Sequence, residues 1–298
     1  VHKYGLSNNF ALYAMLAMLL GVASGGIPWF HREISFLTLM GAMCLSMMSF
    51  VPTQVDWHGY KKHLIMAVLL NYGLLSSVIL LLSFIMVDDV LIRNGFVMIA
   101  LVPPIISGVP FTQTLGGDVK FSILGTSLMY ALALLIAPFG VLLVLGHQIH
   151  MWALIEPLLL LIIIPFITSR CLLKVQKTRP GVFKHSRFMT HAFLFVLIFV
   201  IMGANRRAFF ADPSILYPIL VIGVVKTALV GTLVYFIAKS VKLKKELIPC
   251  YMLFASMKNS ALAVLLAISL FPEEAGIPGS IMVLIELSTV AYYSRILK

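Results

Sequence analysis

The chain has 298 residues, 61% of them hydrophobic and only 11% charged, with a formal net charge of +11. A soluble chain of this length needs polar surface to meet water, and this one carries too little for a soluble globular fold. The positive charge lies between apolar runs rather than in one basic patch, which argues against a nucleic-acid partner and for topology signals beside a lipid bilayer.

The apolar runs repeatedly reach the roughly 20 residues that cross ~30 Å of hydrocarbon. Backbone polar groups in lipid must be satisfied within the segment, so the spans are expected to be helices. A β-barrel would show short alternating segments instead of continuous runs. The expected class is therefore an all-α polytopic membrane protein.

Span 1 is expected at about 9–30. His2 and Lys3 before it, and the small residues at 21–26 (GVASGG), imitate a signal peptide. Cleavage there would leave nine spans and spoil the charge pattern, so the segment is read as a true span. Span 2 is 34–54 and span 3 is 61–86, the latter carrying Asn71. Span 4, 94–115, reads ALVPPIISGVP over 100–110. Pro103, Pro104 and Pro110 each remove a backbone donor, and Gly108 after Ser107 loosens the chain. A proline kink and an unwound segment both fit; three prolines within eight residues, followed by Thr112, Gln113 and Thr114, favour unwinding. An unwound stretch is tolerated only where it is buried in protein or lines a wet cavity.

Span 5 is 119–146, with Ser122 and Thr126 four residues apart on one helix face. Taken singly, such hydroxyls also serve as ordinary packing glue between helices. Span 6 is 151–170, span 7 is 188–206 and span 8 is 214–238 with Lys226 inside it. Span 9, 247–271, carries Lys258-Asn259-Ser260 in an apolar run. A central lysine costs about 2.5–3.5 kcal/mol on insertion scales, so it must face a cavity or a partner. The alternative, a later start that leaves Lys258 interfacial, fits less well with the apolar stretch 248–255 before it. Span 10, 277–295, carries Glu286, an intramembrane carboxylate whose candidate partners are Lys258 and Lys226.

The N-terminus and the loops after even-numbered spans hold 16 Lys and Arg residues, against 4 on the other side (Arg32, Arg93, Arg206 and Arg207). That bias puts both termini, and the loops 171–187 and 239–246, in the cytoplasm, with Glu273-Glu274 outside. The chain is expected as 1–170 (the first five-span repeat plus span 6), the cytoplasmic loop 171–187, and 188–298 with spans 7–10. Five spans per half force opposite orientations, the topology of inverted-repeat transporters, and the fourth span of each half is the broken one. Cys44, Cys171 and Cys250 have no disulfide-like or zinc-like spacing. No metal-spaced histidine pair, phosphate loop or nucleophile elbow appears, so no enzyme is expected. A channel would need a repeated pore element, and a receptor has no need of two broken helices.

The stretch GGDVKFSILGT at 116–126 with Ala137-Pro138, MKNSALA at 257–263 with Phe271, and Pro278-Gly279 opening span 10 together resemble the bile acid:sodium symporter family. Arsenite and auxin efflux carriers are similar. The resemblance implies ten helices, with a panel of spans 1, 2, 6 and 7, and a core of spans 3–5 and 8–10. Spans 4 and 9 would cross at their breaks, and rocking of core against panel would give alternating access. It also implies sodium coupling, for which Ser122 and Thr126 match two ligands. Other positions depart from the pattern. Its span 4 Ser-Asn pair falls on Gly108-Val109, its shared glutamate on Phe254, its second-site glutamine on Lys258, and its span 3 glutamine on Asn71. A His-Asn pair of some relatives falls on Glu286 and Leu287.

The expected function is a carrier of a small organic anion. Substrate and coupling would rest on Asn71, Pro104, Ser107, Gly108, Thr112, Ser122, Thr126, Lys258, Asn259, Ser260 and Glu286. Two intramembrane lysines face one carboxylate, and half-helix N-termini favour anions. Lys258 is expected to stand in for a sodium ion, supplying one charge and three donors to Asn71, to carbonyls freed in span 4, or to Glu286. A static Lys258–Glu286 bridge is the structural alternative. An ammonium can also release its proton, so coupling to protons is physically available. The alternative function is a sodium-independent carrier nearer the auxin or arsenite exporters; sodium apart, no cofactor is expected.

Overall fold

A computed structural model describes residues 7–27, 29–48, 57–146, 151–178, 186–206 and 213–297, and among these every regular element is helical. Helix α1 is Ser7–Ser24, α2 His31–Met47 and α3 Trp57–Val68, which continues through a π-helical stretch, Leu69–Leu75, into α4, Ser76–Met86. Helix α5 (Val90–Leu101) and the short α6 (Gly108–Thr114) are the two halves of span 4. They are followed by α7 (Val119–Leu145), α8 (Met151–Thr178) and α9 (Ser186–Ala204). Helix α10 (Leu216–Val224) runs through a second π stretch, Val225–Leu229, into α11 (Val230–Ser240). Helices α12 (Ile248–Ser256) and α13 (Ser260–Leu270) are the halves of span 9, and α14 (Ile277–Ile296) closes the described chain.

Among the described residues six stretches are long and apolar enough to cross a membrane: Gly59–Met86, Val119–Leu145, Met151–Val175, Leu216–Ser240, Lys245–Leu270 and Glu273–Ile296. Shorter apolar helices cover Leu12–Ser24, Val90–Leu101 and Phe188–Ala204. Of the 18-residue apolar window within Lys245–Leu270, 89% is buried, against 28% for Val119–Leu145. Span 9 therefore runs through the middle of the protein, while α7 turns much of its surface to lipid.

Helices α1, α2, α8 and α9 pack on one another, and α5, α13 and α14 pack together beside them. Close approach is set by glycine. A Cβ on Gly203 would lie 2.2 Å from the backbone of Gly26, and one on Gly95 would lie 2.2 Å from Ala275 O.

Two boundaries differ from expectation. Helix α1 stops at Ser24 because Gly25 and Gly26 take φ values of +82° and +62°, outside the right-handed helix. Helix α8 runs on to Thr178, so the expected loop 171–187 begins as helix. No proline or glycine interrupts the chain there before Pro180. The end of span 2 beyond residue 48, position 180, and the charges of Lys3, Arg179, Lys184, Arg207 and Lys298 lie outside the described residues.

Candidate functional site

The site begins with the two breaks. In span 4 the helix stops at Leu101 and resumes at Gly108. Pro104 has no N–H to give the carbonyl of Ala100. Ser76 Oγ donates to that carbonyl instead, at 2.6 Å. In span 9 the helix stops at Ser256 and resumes at Ser260. Asn259 caps the second half: its Oδ1 accepts from Leu262 N at 3.2 Å, the interaction an N-cap asparagine makes with an otherwise orphaned amide. Its Nδ2 donates to Tyr130 Oη at 2.8 Å, and its backbone N–H donates to Pro103 O at 2.8 Å. The last of these bonds joins the two breaks directly.

Lys258 is fully buried. Its ammonium donates to Asn71 Oδ1 at 2.9 Å and to Val102 O at 3.1 Å, and lies 4.3 Å from the centroid of the Tyr72 ring. Two acceptors and an aromatic face thus replace the water that a buried cation loses. Asn71 is held in turn, its Nδ2 donating to Phe254 O at 2.7 Å. It sits in the first π stretch, where the wider turn carries the side chain toward the break.

Glu286, also fully buried, takes a different cation. Its Oε1 accepts from Lys226 Nζ, from Lys258 N at 3.1 Å and from Ser260 Oγ at 3.0 Å. Its Oε2 is buried without a partner among the described residues. So Lys258 meets Glu286 through its backbone amide, and the ammonium that pairs with the carboxylate belongs to Lys226. The expected static Lys258–Glu286 bridge is not what this structure holds. Lys226 lies in the second π stretch, so the two π stretches supply polar partners to the buried cluster: Asn71 to Lys258, and Lys226 to Glu286.

The remaining expected residues form a separate group. Thr112 Oγ1 donates to Ser122 Oγ at 2.9 Å, while Thr126 Oγ1 is buried without a partner among the described residues. Phe254 is buried beside them, packing edge-to-face on Phe121 at 5.8 Å, and its ring lies 2.7 Å from where a Cβ on Gly125 would be. Gly108 opens α6 and is buried.

A small cavity of about 30 Å³ lies between the two breaks and the neighbouring helices. It is lined by Ile105, Ile106 and Ser107 of the first break, Asn259, Ser260 and Ala261 of the second, Val283, Glu286 and Leu287 of α14, Leu39 of α2, and Leu194 and Ile198 of α9. That is room on the order of one or two waters, so in this conformation the cavity is too small for an organic solute. A larger groove of about 530 Å³ lies elsewhere, lined by Leu64, Ile65, Val68, Leu69, Leu128 and Leu132 with Lys61. Its apolar lining and open shape suit lipid chains, and none of the broken segments reaches it.

Thus Ser107, Asn259, Ser260 and Glu286 share the cavity, Asn71 joins Lys258 behind it, and Thr112, Ser122 and Thr126 stand apart. Lys226 was visible in the sequence as an intramembrane cation and, with Lys258, as a candidate partner of Glu286; the structure gives the pair to Lys226. Tyr72, Tyr130 and the carbonyl of Val102 carried no sequence signal, since each is an ordinary residue of an apolar span.

Apolar helices of membrane-spanning length, with two broken helices meeting around buried charge, define a multi-pass membrane transporter. The chain belongs to the SBF-like CPA transporter family, whose profile matches residues 28–287. No curated protein matches it.

Proposed function

We propose that the protein is a secondary active carrier of a small organic anion, working by alternating access, in which Lys258 holds the place of a sodium ion. The observation that carries this reading is the seating of the Lys258 ammonium on Asn71 Oδ1 and Val102 O, at 2.9 and 3.1 Å. A sodium ion in such a position would be held by oxygens of the same kind. The residues at the sodium-site positions do not fit the ion itself. The phenyl ring of Phe254 offers no oxygen, and Ser122 already accepts from Thr112. Bringing Na⁺ within ~4 Å of an ammonium would cost about 4 kcal/mol at an effective dielectric constant near 20. Ion and lysine therefore exclude each other, and the driving force is a proton gradient or the solute's own gradient.

The paired π stretches in spans 3 and 8, and the paired breaks in spans 4 and 9, support ten spans in an inverted five-plus-five repeat. The packing of α1, α2, α8 and α9 on one another supports a panel of spans 1, 2, 6 and 7, against a core of the remainder. The fully buried charges among the described residues, Lys226, Lys258 and Glu286, leave one net positive charge, which favours an anion. In this reading the protein sits in the cell membrane with both termini cytoplasmic.

The test is thermal melting of the purified protein in sodium chloride and in choline chloride at equal ionic strength. Wild type should melt at the same temperature in both, and sodium-specific stabilisation of the wild type would sink the reading. Counterflow exchange of a labelled organic acid in proteoliposomes separates a carrier, which shows it, from a channel, which does not.

A further inference from the structure

The Glu286 carboxylate divides its two oxygens unequally. Oε1 takes all three donors: the Lys226 ammonium, the Lys258 backbone amide and the Ser260 hydroxyl. Oε2 takes none among the described residues, although the side chain is fully buried. A buried carboxylate oxygen without a donor is costly, and native proteins seldom leave one unless something fills it. Glu286 lines the cavity between the breaks, and among the described residues it is the only ionisable one that does so. Neither lysine lines that cavity.

The cavity has a second polar feature. Asn259, Ser260 and Ala261 are the cap and first residues of the eleven-residue helix α13, whose positive end therefore faces the same space. With one net positive charge in the buried charge cluster, this end suits a carboxylate. The Glu286 side refuses a second acceptor and needs a donor. A plain carboxylic acid satisfies only the first half of the cavity. An acid bearing an O–H or N–H next to its carboxylate satisfies both.

We propose that Glu286 selects the solute through Oε2, so that the site takes a small organic acid carrying a hydroxyl or ammonium donor beside its carboxylate. This rests on the organic-anion carrier reading above: a hydroxy acid narrows that substrate class, whereas an amino acid, a zwitterion of no net charge, would move it to carboxylates at large. The donor meets Glu286 Oε2 while the carboxylate lies toward the start of α13. A simple fatty acid of equal length enters with that oxygen still unpaired and binds more weakly. Discrimination of this kind is strong because the site's own buried group is left unsatisfied by the wrong ligand.

The experiment compares matched probes: propionate, lactate and alanine, then valerate, 2-hydroxyvalerate and norvaline. Each is titrated into the purified full chain by thermal shift, in sodium chloride and in choline chloride. At least one donor-bearing series should bind about tenfold or more tighter than the plain acids. Hydroxy acids and amino acids in separate arms show which donor is used. In the paired variant Lys226→Met with Glu286→Gln the amide oxygen stays on the Ser260 and Lys258 donors, and its NH2 takes the place of Oε2. The preference should then vanish or invert. If that variant does not fold, Glu286→Asp, which keeps the charge and withdraws the carboxylate by one methylene, should reduce the preference. Equal binding of plain and donor-bearing acids by the wild type overturns the proposal. So does a preference that survives the paired variant, and so does failure of every probe to bind at millimolar concentration. Sodium-dependent binding with the donor preference intact would instead sink the role given to Lys258 and leave that of Glu286 standing.

Discussion

The two intramembrane lysines are given different work by their partners. Lys226 is matched by a carboxylate, whereas Lys258 is matched by an amide oxygen, a backbone carbonyl and an aromatic face. Removing the ammonium of Lys226 strands a charge: Lys226→Met leaves Glu286 fully buried with only neutral donors. The expected loss is about 3–5 kcal/mol, the usual consequence of breaking a buried pair from one side. Replacing both partners, Lys226→Met with Glu286→Gln, should recover most of it, because a well-packed neutral pair avoids the desolvation of two ions. Denaturant titration of the detergent-purified variants reads both values. A double variant as unstable as the single one would show that Lys226 matters for packing rather than charge. The sequence made both lysines and Glu286 conspicuous, since an ionisable residue in an apolar run is rare and costly. It did not say which lysine meets the carboxylate. That choice depends on how span 8 approaches span 10, and on a π stretch that turns Lys226 inward. A π stretch leaves no mark in composition, as no proline or glycine is needed to make one.

At the scale of the helix, the breaks were legible and their stabilisation was not. Prolines in span 4 and a Lys-Asn pair in span 9 are strong interruptions in apolar runs, and the structure puts its breaks at 102–107 and 257–259. The groups that satisfy the freed backbone come from distant elements: Ser76 on Ala100 O, Lys258 on Val102 O, and Asn259 N on Pro103 O. Asn259 is the hinge of this arrangement because it caps α13 and also holds Tyr130. Asn259→Ala should cost about 1–2 kcal/mol for the lost cap alone, with a further loss for the stranded hydroxyl of Tyr130. Asn259→Ser should restore part of the cap and leave Tyr130 unpaired, so its melting temperature is expected between the two. Glycine contacts give an independent check on the same packing. Gly95→Ala places a methyl 2.2 Å from Ala275 O, a backbone atom that cannot swing aside. Overpacking of that kind costs about 1–3 kcal/mol. Gly108→Ala meets nothing nearer than Ile105 Cγ2 at 3.6 Å and should be tolerated. Equal stability of the two alanine variants would argue against the α5 packing described.

For the whole molecule, the question is which side of the cavity opens. At one end α2 is tied to the end of α13 and the turn after it by Arg32, whose guanidinium donates to Ile268 O, and by His31, 2.9 Å from Glu273. These contacts lie on the side that the charge bias assigns to the exterior, and with the orientation proposed above they would latch the outer side. A hydrogen bond from a charged donor contributes about 1.5–3 kcal/mol, enough to shift a two-state population by roughly ten- to a hundredfold. Arg32→Ala should therefore favour the state in which the cavity opens outward. A single reporter reads this: Ser107→Cys, at the cavity lining, in a background with Cys44, Cys171 and Cys250 replaced. A membrane-impermeant thiol reagent added outside intact cells should label Ser107→Cys faster when Arg32 is alanine than when it is arginine. Two controls fix the sides. Glu273→Cys should react from outside without treatment, and Lys245→Cys only after the cells are permeabilised. If Lys245→Cys reacts from outside, the orientation is reversed and Arg32 latches the cytoplasmic side. If the controls hold and Arg32→Ala leaves the Ser107→Cys rate unchanged, with the protein folded, panel and core do not separate at this end and rocking between them is not how the cavity opens.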